Sequence, residues 1–269
     1  MELSIIVTNY RNPELLKVCL DSIRKCVTGI THELIVSDSA TEEDTEMMMR
    51  EEYSDVIFLP FKDNVGFQAL IKKGIESSTG QYILMLNGDI IVTPNSVQKM
   101  LEFIKNDSTI GMVGPKLLNF NGSLQQSCFR FYKPITILYR RTFLGKLGFA
   151  KKHLDWFLMK DYDHKNPQEV DWLMGSALMI SRIAFEKVGY MDPQYFMYME
   201  DVDWCRRFWE NGFKIMYFPL EYMHHYHGKR SAKGGLIKSL LFNKMTWVHI
   251  VSGIRYFKKF RGKPLPTHN

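Results

Sequence analysis

The first hundred residues alternate between short apolar runs and longer segments in which apolar residues recur at helical spacing. Runs rich in aliphatic and β-branched residues predict buried strands at residues 3–8, 33–37, 56–59 and 82–86. Helices are predicted from Asn12-Pro13, near 42–52, from Phe67 to about Ser77, and after a Thr93-Pro94 cap. This order is typical of βαβ units around a mostly parallel, Rossmann-like sheet flanked by helices, so we expect an α/β fold.

The rest of the chain is less regular. Between about residues 123 and 170 basic and aromatic side chains mix without a clear period, whereas 171–217 is patterned again and a histidine-rich segment follows at 224–227. The residues beyond predict a basic, partly amphipathic helix. We therefore expect one domain over 1–228 and a C-terminal helical segment over 229–269.

Composition excludes several classes of protein. With 269 residues, of which 45% are hydrophobic and 24% charged, the chain has enough apolar material for a core and is not intrinsically disordered. It has no uncharged apolar run of about 18 residues, so no membrane-spanning helix is expected, and its first residues do not resemble a signal peptide. Four widely spaced cysteines without a CxxC pair argue against a disulfide scaffold or a zinc knuckle and favour a reducing cytoplasm.

Charge is unevenly distributed along the chain. After Glu221 there is no Asp or Glu but there are ten Lys or Arg, whereas the preceding part carries 25 basic and 29 acidic side chains. Such a basic tail suits an anionic surface, either lipid headgroups or nucleic acid. No nucleic-acid-binding motif accompanies the charge, so we expect no nucleic-acid partner. The alternative is that the apolar residues of the tail pack on the rest of the protein and its charges are only solvated.

Polar residues follow three of the predicted strands, at Asp38, Asn64 and Asp89. Ligands of parallel sheets collect beyond the carboxyl ends of the strands, so we expect these side chains along one rim. Asp89 ends the segment Asn87-Gly88-Asp89, where a single carboxylate suits Mg²⁺ or Mn²⁺ shared with substrate phosphates. The alternative is an ordinary turn, because Asn-Gly is a strong turn dipeptide.

Glu200, Asp201 and Asp203 form a cluster of carboxylates that is flanked by aromatic residues and followed by Arg207. At the start of a helix they would lie near the positive end of its dipole. Glu200 and Asp203 would share one face, which leaves Asp201 available as a general base. The alternative is an acidic helix terminus without a catalytic role, although the apolar surroundings favour a pocket.

Two further segments suggest binding roles. The three histidines within 224–227 suit a divalent metal or a diphosphate, and imidazole ligands favour Mn²⁺ over Mg²⁺. Trp172, followed by Gly175 and Ser176, offers a stacking plane beside space for a sugar ring; the alternative is that it packs in the core.

In their order and spacing, these segments resemble a family-2 glycosyltransferase of the GT-A fold, and within that family they are most similar to bacterial rhamnosyltransferases that build cell-surface polysaccharides. The matching segments begin with IIVTNYRNPELLKVCLDSI, LIVSDSATEED, NVGFQALIKKGI and GQYILMLNGD. They continue with DWLMGSALMISRIAFEKVGYMD, YFMYMEDVDWCRRFWENGFKIMYFP and HHYHG. The resemblance therefore runs from Ser4 to about Ser231.

The resemblance implies that the half at 1–115 binds a nucleotide sugar and that the half at 116–228 binds the acceptor. The nucleotide sugar would contact Thr8, Tyr10, Arg11, Asp38, Asn64, Gly66, Asn87, Gly88 and Asp89. A pocket for the acceptor or the sugar would include Trp172, Gly175, Glu200, Asp203 and Arg207. Asp201 would be the catalytic base, and Asp89 and His225 would hold a divalent metal, Mg²⁺ or Mn²⁺.

The chain departs from the family pattern at three places. Arg11 and Lys72 each replace an Asn that is common in the family. The metal motif keeps only its last acid, because Asn87 and Gly88 are neutral. This last departure leaves strict metal dependence open.

The activity that the resemblance implies is inverting transfer of L-rhamnose from dTDP-L-rhamnose to a lipid-linked or growing polysaccharide acceptor. The protein would work in the cytoplasm, peripherally bound to the inner face of the membrane through its basic tail. Alternatives are the same fold with a UDP-hexose donor, a nucleotidyltransferase, or a catalytically silent sugar-nucleotide-binding scaffold in polysaccharide assembly. A dinucleotide oxidoreductase is not favoured, since no GxGxxG follows the first strand.

Overall fold

The structure, a computed structural model, describes residues 1–141, 143–226 and 244–266, with the backbone alone for residues 141 and 244–246. The strands are β1 (Leu3–Tyr10), β2 (His32–Ser39), β3 (Ile57–Phe61), β4 (Tyr82–Asn87), β5 (Ile90–Val92), β6 (Ile110–Leu118), β7 (Leu124–Gln125), β8 (Cys128–Phe129), β9 (Gln168–Glu169), β10 (Trp172–Leu173), β11 (Ala177–Ser181) and β12 (Lys214–His225). The helices are α1 (Pro13–Cys26), α2 (Glu43–Glu52), α3 (Phe67–Glu76), α4 (Ser96–Lys105), α5 (Pro134–Arg141), α6 (Gly148–Phe157), α7 (Arg182–Val188), α8 (Glu200–Glu210) and α9 (Lys244–Lys259). A short 3₁₀ helix, Phe143–Lys146, lies between α5 and α6.

The described strands form one central sheet, apart from the separate pair β8 and β10. The order in the central sheet is β3-β2-β1-β4-β11-β6-β12-β5, with β7 paired to β6 and β9 paired to β12. Strands β3, β2, β1 and β4 are parallel. The other half is mixed, because β11 runs antiparallel between β4 and β6, and β12 is parallel to β6 but antiparallel to β5. The α/β fold is confirmed, and its sheet is more mixed than expected.

Helices cover both faces of the sheet because its central strands are apolar on both sides. In β1, Ile5 and Val7 belong to the same core as Leu16 of α1, whereas Ile6 belongs to the core on the other face with Ile71 of α3. Neighbouring residues of a strand point to opposite faces, so both cores are filled from one apolar run. Each such fully buried side chain contributes about 1.5–3 kcal/mol, which fixes the strands in register.

Helix α1 begins at Pro13, as predicted. The prediction that Thr93-Pro94 caps α4 is wrong. Helix α4 begins at Ser96, and its N-cap is Asn95 in a left-handed conformation with a φ of 65°. Ser96 Oγ donates a hydrogen bond to the Thr93 carbonyl oxygen (2.7 Å). Thr93 and Pro94 therefore form the turn before the helix.

The irregular segment between residues 123 and 170 contains α5 and α6, packed around a group of aromatic rings. The Trp172 ring stacks on Phe129 with centroids 4.2 Å apart, and Tyr132 and Phe157 lie beside them. Trp172 Nε1 donates to the Arg130 carbonyl oxygen (2.8 Å). This indole is therefore a core residue, as the alternative interpretation of the sequence held, and it does not offer an open stacking plane.

The C-terminal segment contains the predicted helix, α9, while its residues 229–243 and 267–269 lie outside the described residues. Ser252 and Tyr256 of α9 are buried against the domain. Trp247 and Ile254 are 55% and 62% exposed, so the helix also keeps an apolar face in solvent. Throughout the described parts of the chain, every helix is too short or too polar to span a membrane.

Candidate active site

A cavity of about 540 Å³ opens at the carboxyl ends of β1, β2 and β4. Its volume is typical of a site for a small organic ligand. It is lined by Thr8, Asn9, Tyr10, Asn12, Ser39, Asn64, Gly66, Phe67, Leu70, Asn87, Gly88, Asp89, Phe196, Met197, Tyr198 and Tyr226. Seven of the nine residues predicted to bind a nucleotide sugar are among them.

The turn at residues 87–89 is held against the end of β1. The Gly88 amide donates to the Thr8 carbonyl oxygen (2.8 Å), and Thr8 Oγ1 donates to Asn87 Oδ1 (3.4 Å). A Cβ at Gly88 would lie 3.2 Å from Asn9 Oδ1, so glycine allows the turn to approach the strand closely. The two interpretations of Asn87-Gly88-Asp89 are compatible, because a turn presents Asp89 to the cavity.

Asp89 and His225 meet because β5 pairs with β12. The distance from His225 Nε2 to Asp89 Oδ1 is 3.3 Å. Side chains alternate along a strand, so His224 lies on the other side of β12, with its ring stacked on Phe120 at a centroid distance of 6.0 Å. His227, the third histidine of the segment, lies outside the described residues.

The surroundings of this pair fit a divalent cation. Gln125 Oε1 lies 2.7 Å from His225 Nδ1, and since an amide oxygen only accepts, Nδ1 is the donor in this hydrogen bond, which leaves Nε2 facing Asp89. Asp89 Oδ1 is buried and has no hydrogen-bond partner among the described residues. Carboxylate oxygen and imidazole nitrogen both ligate Mn²⁺. A metal-binding histidine typically donates a hydrogen bond from its other ring nitrogen to an acceptor such as Gln125 Oε1. The described residues contain no cluster of three or more such ligands, so substrate oxygens and water would complete the shell.

Two residues predicted to bind the nucleotide lie behind or beside the cavity wall. Asp38 is fully buried, accepts a hydrogen bond from Asn9 Nδ2 (2.8 Å), and has its pKa raised by burial. Because Asn9 lines the cavity, Asp38 is placed to orient that amide. Arg11 lies 3.7 Å from Glu42 and 5.6 Å from the centre of the Tyr10 ring, outside the wall that Tyr10 forms.

The loop into α3 is shaped by side-chain contacts with backbone amides. Asn64 Oδ1 accepts from the Gly66 amide (3.1 Å), and Ser39 Oγ accepts from the Val65 amide (3.1 Å). Gly66 has a φ of +81°, and a Cβ there would lie 2.9 Å from the Phe196 carbonyl oxygen. Both the backbone conformation and the close approach require glycine at this position.

The wall just before α8 is supported by α9. Ser252 Oγ donates to the Met197 carbonyl oxygen (3.0 Å), and the His249 ring stacks on Tyr198 with centroids 4.6 Å apart. Tyr198 and Met199 have φ values of 67° and 69°, a left-handed conformation that costs ~1–2 kcal/mol per residue. The contacts with α9 help to hold this strained segment in place.

Glu200 and Asp201 follow the strained segment and open α8. Asp201 is half-buried and accepts hydrogen bonds from the Val202 amide (2.9 Å) and the Gly175 amide (3.3 Å). Burial raises the pKa of Asp201 to about 6. Glu200 is buried more deeply, and burial together with the charge of Asp201 raises its pKa to about 8. Both carboxyls therefore hold a proton more readily than ordinary carboxyls, and Asp201, the less deeply buried of the two, is the one that contacts the segment beside the cavity.

Two contacts connect this pair with the cavity. A Cβ at Gly175 would lie 3.3 Å from the ring of Phe67, which lines the cavity, and 3.7 Å from Asp201 Cβ. The Ser176 carbonyl oxygen accepts a hydrogen bond from the Asn87 amide (2.9 Å). The segment Gly175-Ser176 thus lies between Asp201 and the turn that carries Asp89.

The structure does not bring Asp203 and Arg207 to the cavity. Asp203 is fully buried, and its carboxylate accepts from Arg207 Nε (2.8 Å), Lys259 Nζ (2.6 Å) and the Tyr195 hydroxyl (3.2 Å). Arg207 also donates to two backbone carbonyl oxygens of the segment before α8. These two residues hold α8, α9 and the aromatic segment together.

Comparison with known sequences decides the family. The sequence profile of Glycosyl transferase family 2 matches residues 4–189, more than half of the chain. The chain belongs to glycosyl transferase family 2. Its segments from the first strand to α7 are therefore those of the family, as the resemblance indicated.

Curated relatives of this family 2 glycosyltransferase include two rhamnosyltransferases. The N-acetylglucosaminyl-diphospho-decaprenol L-rhamnosyltransferase of Mycobacterium tuberculosis is 27% identical over 206 residues, which cover 71% of this chain and 66% of the relative. The rhamnosyltransferase WbbL of Escherichia coli is 26% identical over 195 residues, covering 72% of this chain and 67% of the relative. The chain thus spans just under two thirds of the mycobacterial relative.

Among solved structures, the crystal structure of GalNAc-T7 with UDP, GalNAc and Mn²⁺ is similar to this family 2 glycosyltransferase, with a TM-score of 0.62 at 15% identity. The similarity covers 87% of this chain and 44% of that one. It concerns the fold, and the GT-A fold expected from the sequence is confirmed.

Several residues lining the cavity of this glycosyltransferase were not predicted from the sequence. Asn9 follows Thr8 at the end of β1, and Phe67 follows Gly66 at the start of α3, so their positions next to predicted residues were the available signal. Tyr226 lines the cavity because β12 ends beside Asp89, whose carbonyl oxygen accepts from the Tyr226 amide (2.9 Å). That contact depends on strand pairing, and the available signal was the histidine-rich segment 224–227, in which Tyr226 lies.

Proposed function

We propose that this family 2 glycosyltransferase moves L-rhamnose from dTDP-L-rhamnose to a hydroxyl of a lipid-linked or growing polysaccharide acceptor, with inversion at the anomeric carbon. The observation that carries the proposal is Asp201, a half-buried carboxylate with a raised pKa, placed one short segment away from a cavity at the strand ends. The two rhamnosyltransferases among the relatives support the choice of donor sugar.

The nucleotide part of the donor would lie along the ends of β1 and β2. Thr8 and Tyr10 would form the wall beside it. Asn9, oriented by the buried Asp38, would make the hydrogen bond to the base or ribose that the sequence assigned to Asp38 itself. Arg11 stands beside Tyr10 at the edge, where it would meet the charge of the donor.

Asp89 and His225 would hold Mg²⁺ or Mn²⁺ through Oδ1 and Nε2. A cation bound there supplies positive charge to the diphosphate as it leaves. Gln125 would keep the His225 ring in the tautomer and orientation that direct Nε2 toward Asp89.

Asp201 would take the proton of the acceptor hydroxyl while the acceptor oxygen attacks the anomeric carbon. The new bond to the sugar forms as the bond to the diphosphate breaks, the diphosphate leaves with the bonding electron pair, and the proton ends on Asp201. One displacement of this kind inverts the anomeric centre without a covalent sugar–enzyme intermediate. A raised pKa makes Asp201 a stronger base than an ordinary carboxylate.

The acceptor would bind to the half at 116–228, next to Gly175 and Glu200. A lipid-linked acceptor would bring the reaction to the cytoplasmic face of the membrane, where the protein would be peripherally bound. The basic C-terminal tail and the exposed face of α9, with Trp247 and Ile254, would lie on the anionic surface. Each cation near such a surface contributes ~1 kcal/mol, screened by salt.

A panel of donors tests the proposal. The protein is mixed with Mn²⁺ and either dTDP-L-rhamnose or one of several UDP-hexoses; binding is measured by thermal shift and transfer by nucleoside-diphosphate release with a polyprenyl-diphosphate-linked acceptor. We expect stabilisation and release with dTDP-L-rhamnose alone. Preference for a UDP-hexose would establish the alternative donor, and binding without release from any donor would favour the silent scaffold.

A further inference from the structure

A second basic and apolar surface lies in the segment without a clear sequence period. Residues 108–154 contain no Asp or Glu but carry eight Lys or Arg. Six of these eight fall within residues 133–152, which include α5, the 3₁₀ helix and the first half of α6. We name residues 133–141 and 143–152 the basic hairpin, because α5 and α6 pack on each other through the Tyr139 and Phe149 rings, whose centroids are 5.9 Å apart.

The basic hairpin also exposes large apolar side chains. Phe143 is 70% exposed and Phe149 is 63% exposed, more than any other phenylalanine in the described part of the chain. Leu138 and Leu147 are exposed as well. Isolated exposed apolar residues are common on soluble proteins, but several in one short segment mark an interaction surface.

The basic hairpin is in contact with the helix that supports the cavity wall. A Cβ at Gly253 of α9 would lie 3.0 Å from Ile137 Cδ1 of α5, so the two helices pack closely. On the same helix α9, Ser252 and His249 contact Met197 and Tyr198 of the wall. A partner bound to the hairpin would therefore lie close to the helix that borders the candidate active site.

We propose that the basic hairpin docks on an anionic lipid bilayer. Phe143, Leu147 and Phe149 enter the headgroup region, and the exposed Lys146 and Lys151 lie against lipid phosphates. The combination of exposed aromatic rings and cations without any carboxylate is complementary to acidic phospholipid, whereas a protein surface would offer charges of both signs. The inference rests on the proposed function only for its purpose, which is to bring a lipid-linked acceptor to the cavity; the docking itself needs no donor.

The test is flotation of the full chain with vesicles of equal parts phosphatidylglycerol and phosphatidylcholine. We expect the wild type to float at low salt and the double variant Phe143→Ser/Phe149→Ser to lose at least about tenfold in vesicle partition. Lys151→Glu should lose about fivefold or more, because one cation contributes ~1 kcal/mol at an anionic surface. The matched control is Ile183→Ser on α7, where the side chain is 68% exposed outside the hairpin, and it should float like the wild type.

Four outcomes overturn the proposal. The first is unchanged flotation of the double variant, and the second is an equal loss of flotation in the Ile183→Ser control. The third is equal binding to vesicles of pure phosphatidylcholine. The fourth is a wild type that does not float but forms a dimer, which the double substitution dissociates. Thermal unfolding checks the fold of each variant, because Phe149 also packs on Tyr139. Lys151→Glu keeps both phenylalanine rings and tests the docking independently of that contact.

A short-chain, water-soluble acceptor separates this proposal from the proposed function. The double variant should transfer sugar to that acceptor at the wild-type rate, because hairpin docking serves only the membrane-bound acceptor. A wild type that floats through the hairpin but transfers no sugar from any donor would leave the docking surface standing and remove the proposed function.

Discussion

The candidate site has one carboxylate after a strand, Asp89, and another at the start of a helix, Asp201, and the surroundings of the two differ. Asp89 follows a strand, and pairing of β5 with β12 places an imidazole nitrogen 3.3 Å from it. Asp201 starts a helix, where burial raises its pKa and a second carboxylate, Glu200, lies next to it. A carboxylate beside a nitrogen ligand suits a cation, whereas a desolvated carboxylate suits a proton. The same functional group thus acquires different chemistry from the element that carries it.

The largest effect is expected from removing the proton acceptor at the helix end. Asp201→Asn keeps the size of the side chain but removes the base, so kcat should fall ~10²–10⁴-fold while donor affinity is unchanged. Turnover is measured by nucleoside-diphosphate release and donor affinity by calorimetry. Glu210→Gln, at the other end of α8, is the matched control and should keep the wild-type kcat. Full activity of Asp201→Asn would exclude Asp201 as the base.

At the strand end, the expected effect is on metal affinity. Gln125→Leu removes the partner of His225 Nδ1, so Mn²⁺ affinity should fall about 10–100-fold. Electron paramagnetic resonance of free Mn²⁺ measures this without any turnover. Gln126→Leu is the control, because the Gln126 side chain donates to the Cys128 carbonyl oxygen instead. Wild-type Mn²⁺ affinity in Gln125→Leu would mean that His225 does not depend on this contact as a ligand.

The pH dependence of turnover sharpens the contrast further. The pKa of Asp201 is raised from 3.8 to about 6, so the base is ionised above that pH and protonated below it. We expect kcat to fall about tenfold for each pH unit below about 6, because the protonated carboxyl cannot accept the acceptor proton. Steady-state rates across this range test the point, with circular dichroism at each pH as the control for folding. An acid limb near the ordinary pKa of Asp would contradict the desolvated environment.

The smallest effect is expected on folding stability, at Glu200. Its pKa is raised from 4.5 to about 8, so the folded state favours the protonated form. The stability that follows is fully present below pH 4.5 and is lost as the pH rises through about 8. Glu200→Gln cannot ionise and should therefore lose less stability than the wild type between these two values, as measured by urea unfolding. A Glu200→Gln protein that keeps the wild-type pH dependence of stability would show that Glu200 is not desolvated.

The strand end of the site was predictable because its signals are local. Apolar runs predicted the parallel strands, and the loops that follow two of these runs contain Asn64 and Asp89, which the structure brings to one cavity. Asn12 likewise predicted the start of α1, and in the structure its Oδ1 accepts a hydrogen bond from the Leu15 amide (3.4 Å). In such βαβ units each element is encoded by neighbours in sequence, and the sheet edge follows from their order.

The helix end was less predictable because its contacts are distant in sequence. Spacing placed Asp203 in a pocket with Glu200, but its carboxylate is bound by Lys259, 56 residues further along the chain. Trp172 is likewise enclosed by aromatic residues from the segment that showed no period. The antiparallel insertion of β11 has no local signal either, since strand direction depends on the path of the chain and not on composition.

The bond from Ser252 to the Met197 carbonyl joins residues 55 positions apart. During synthesis the aromatic segment before α8 is made first. Its supporting helix α9 becomes available only after the residues between Met197 and Ser252 have been added. The sheet edge depends on residues made before α9, whereas the wall at Met197 and Tyr198 lacks this support until α9 has been made.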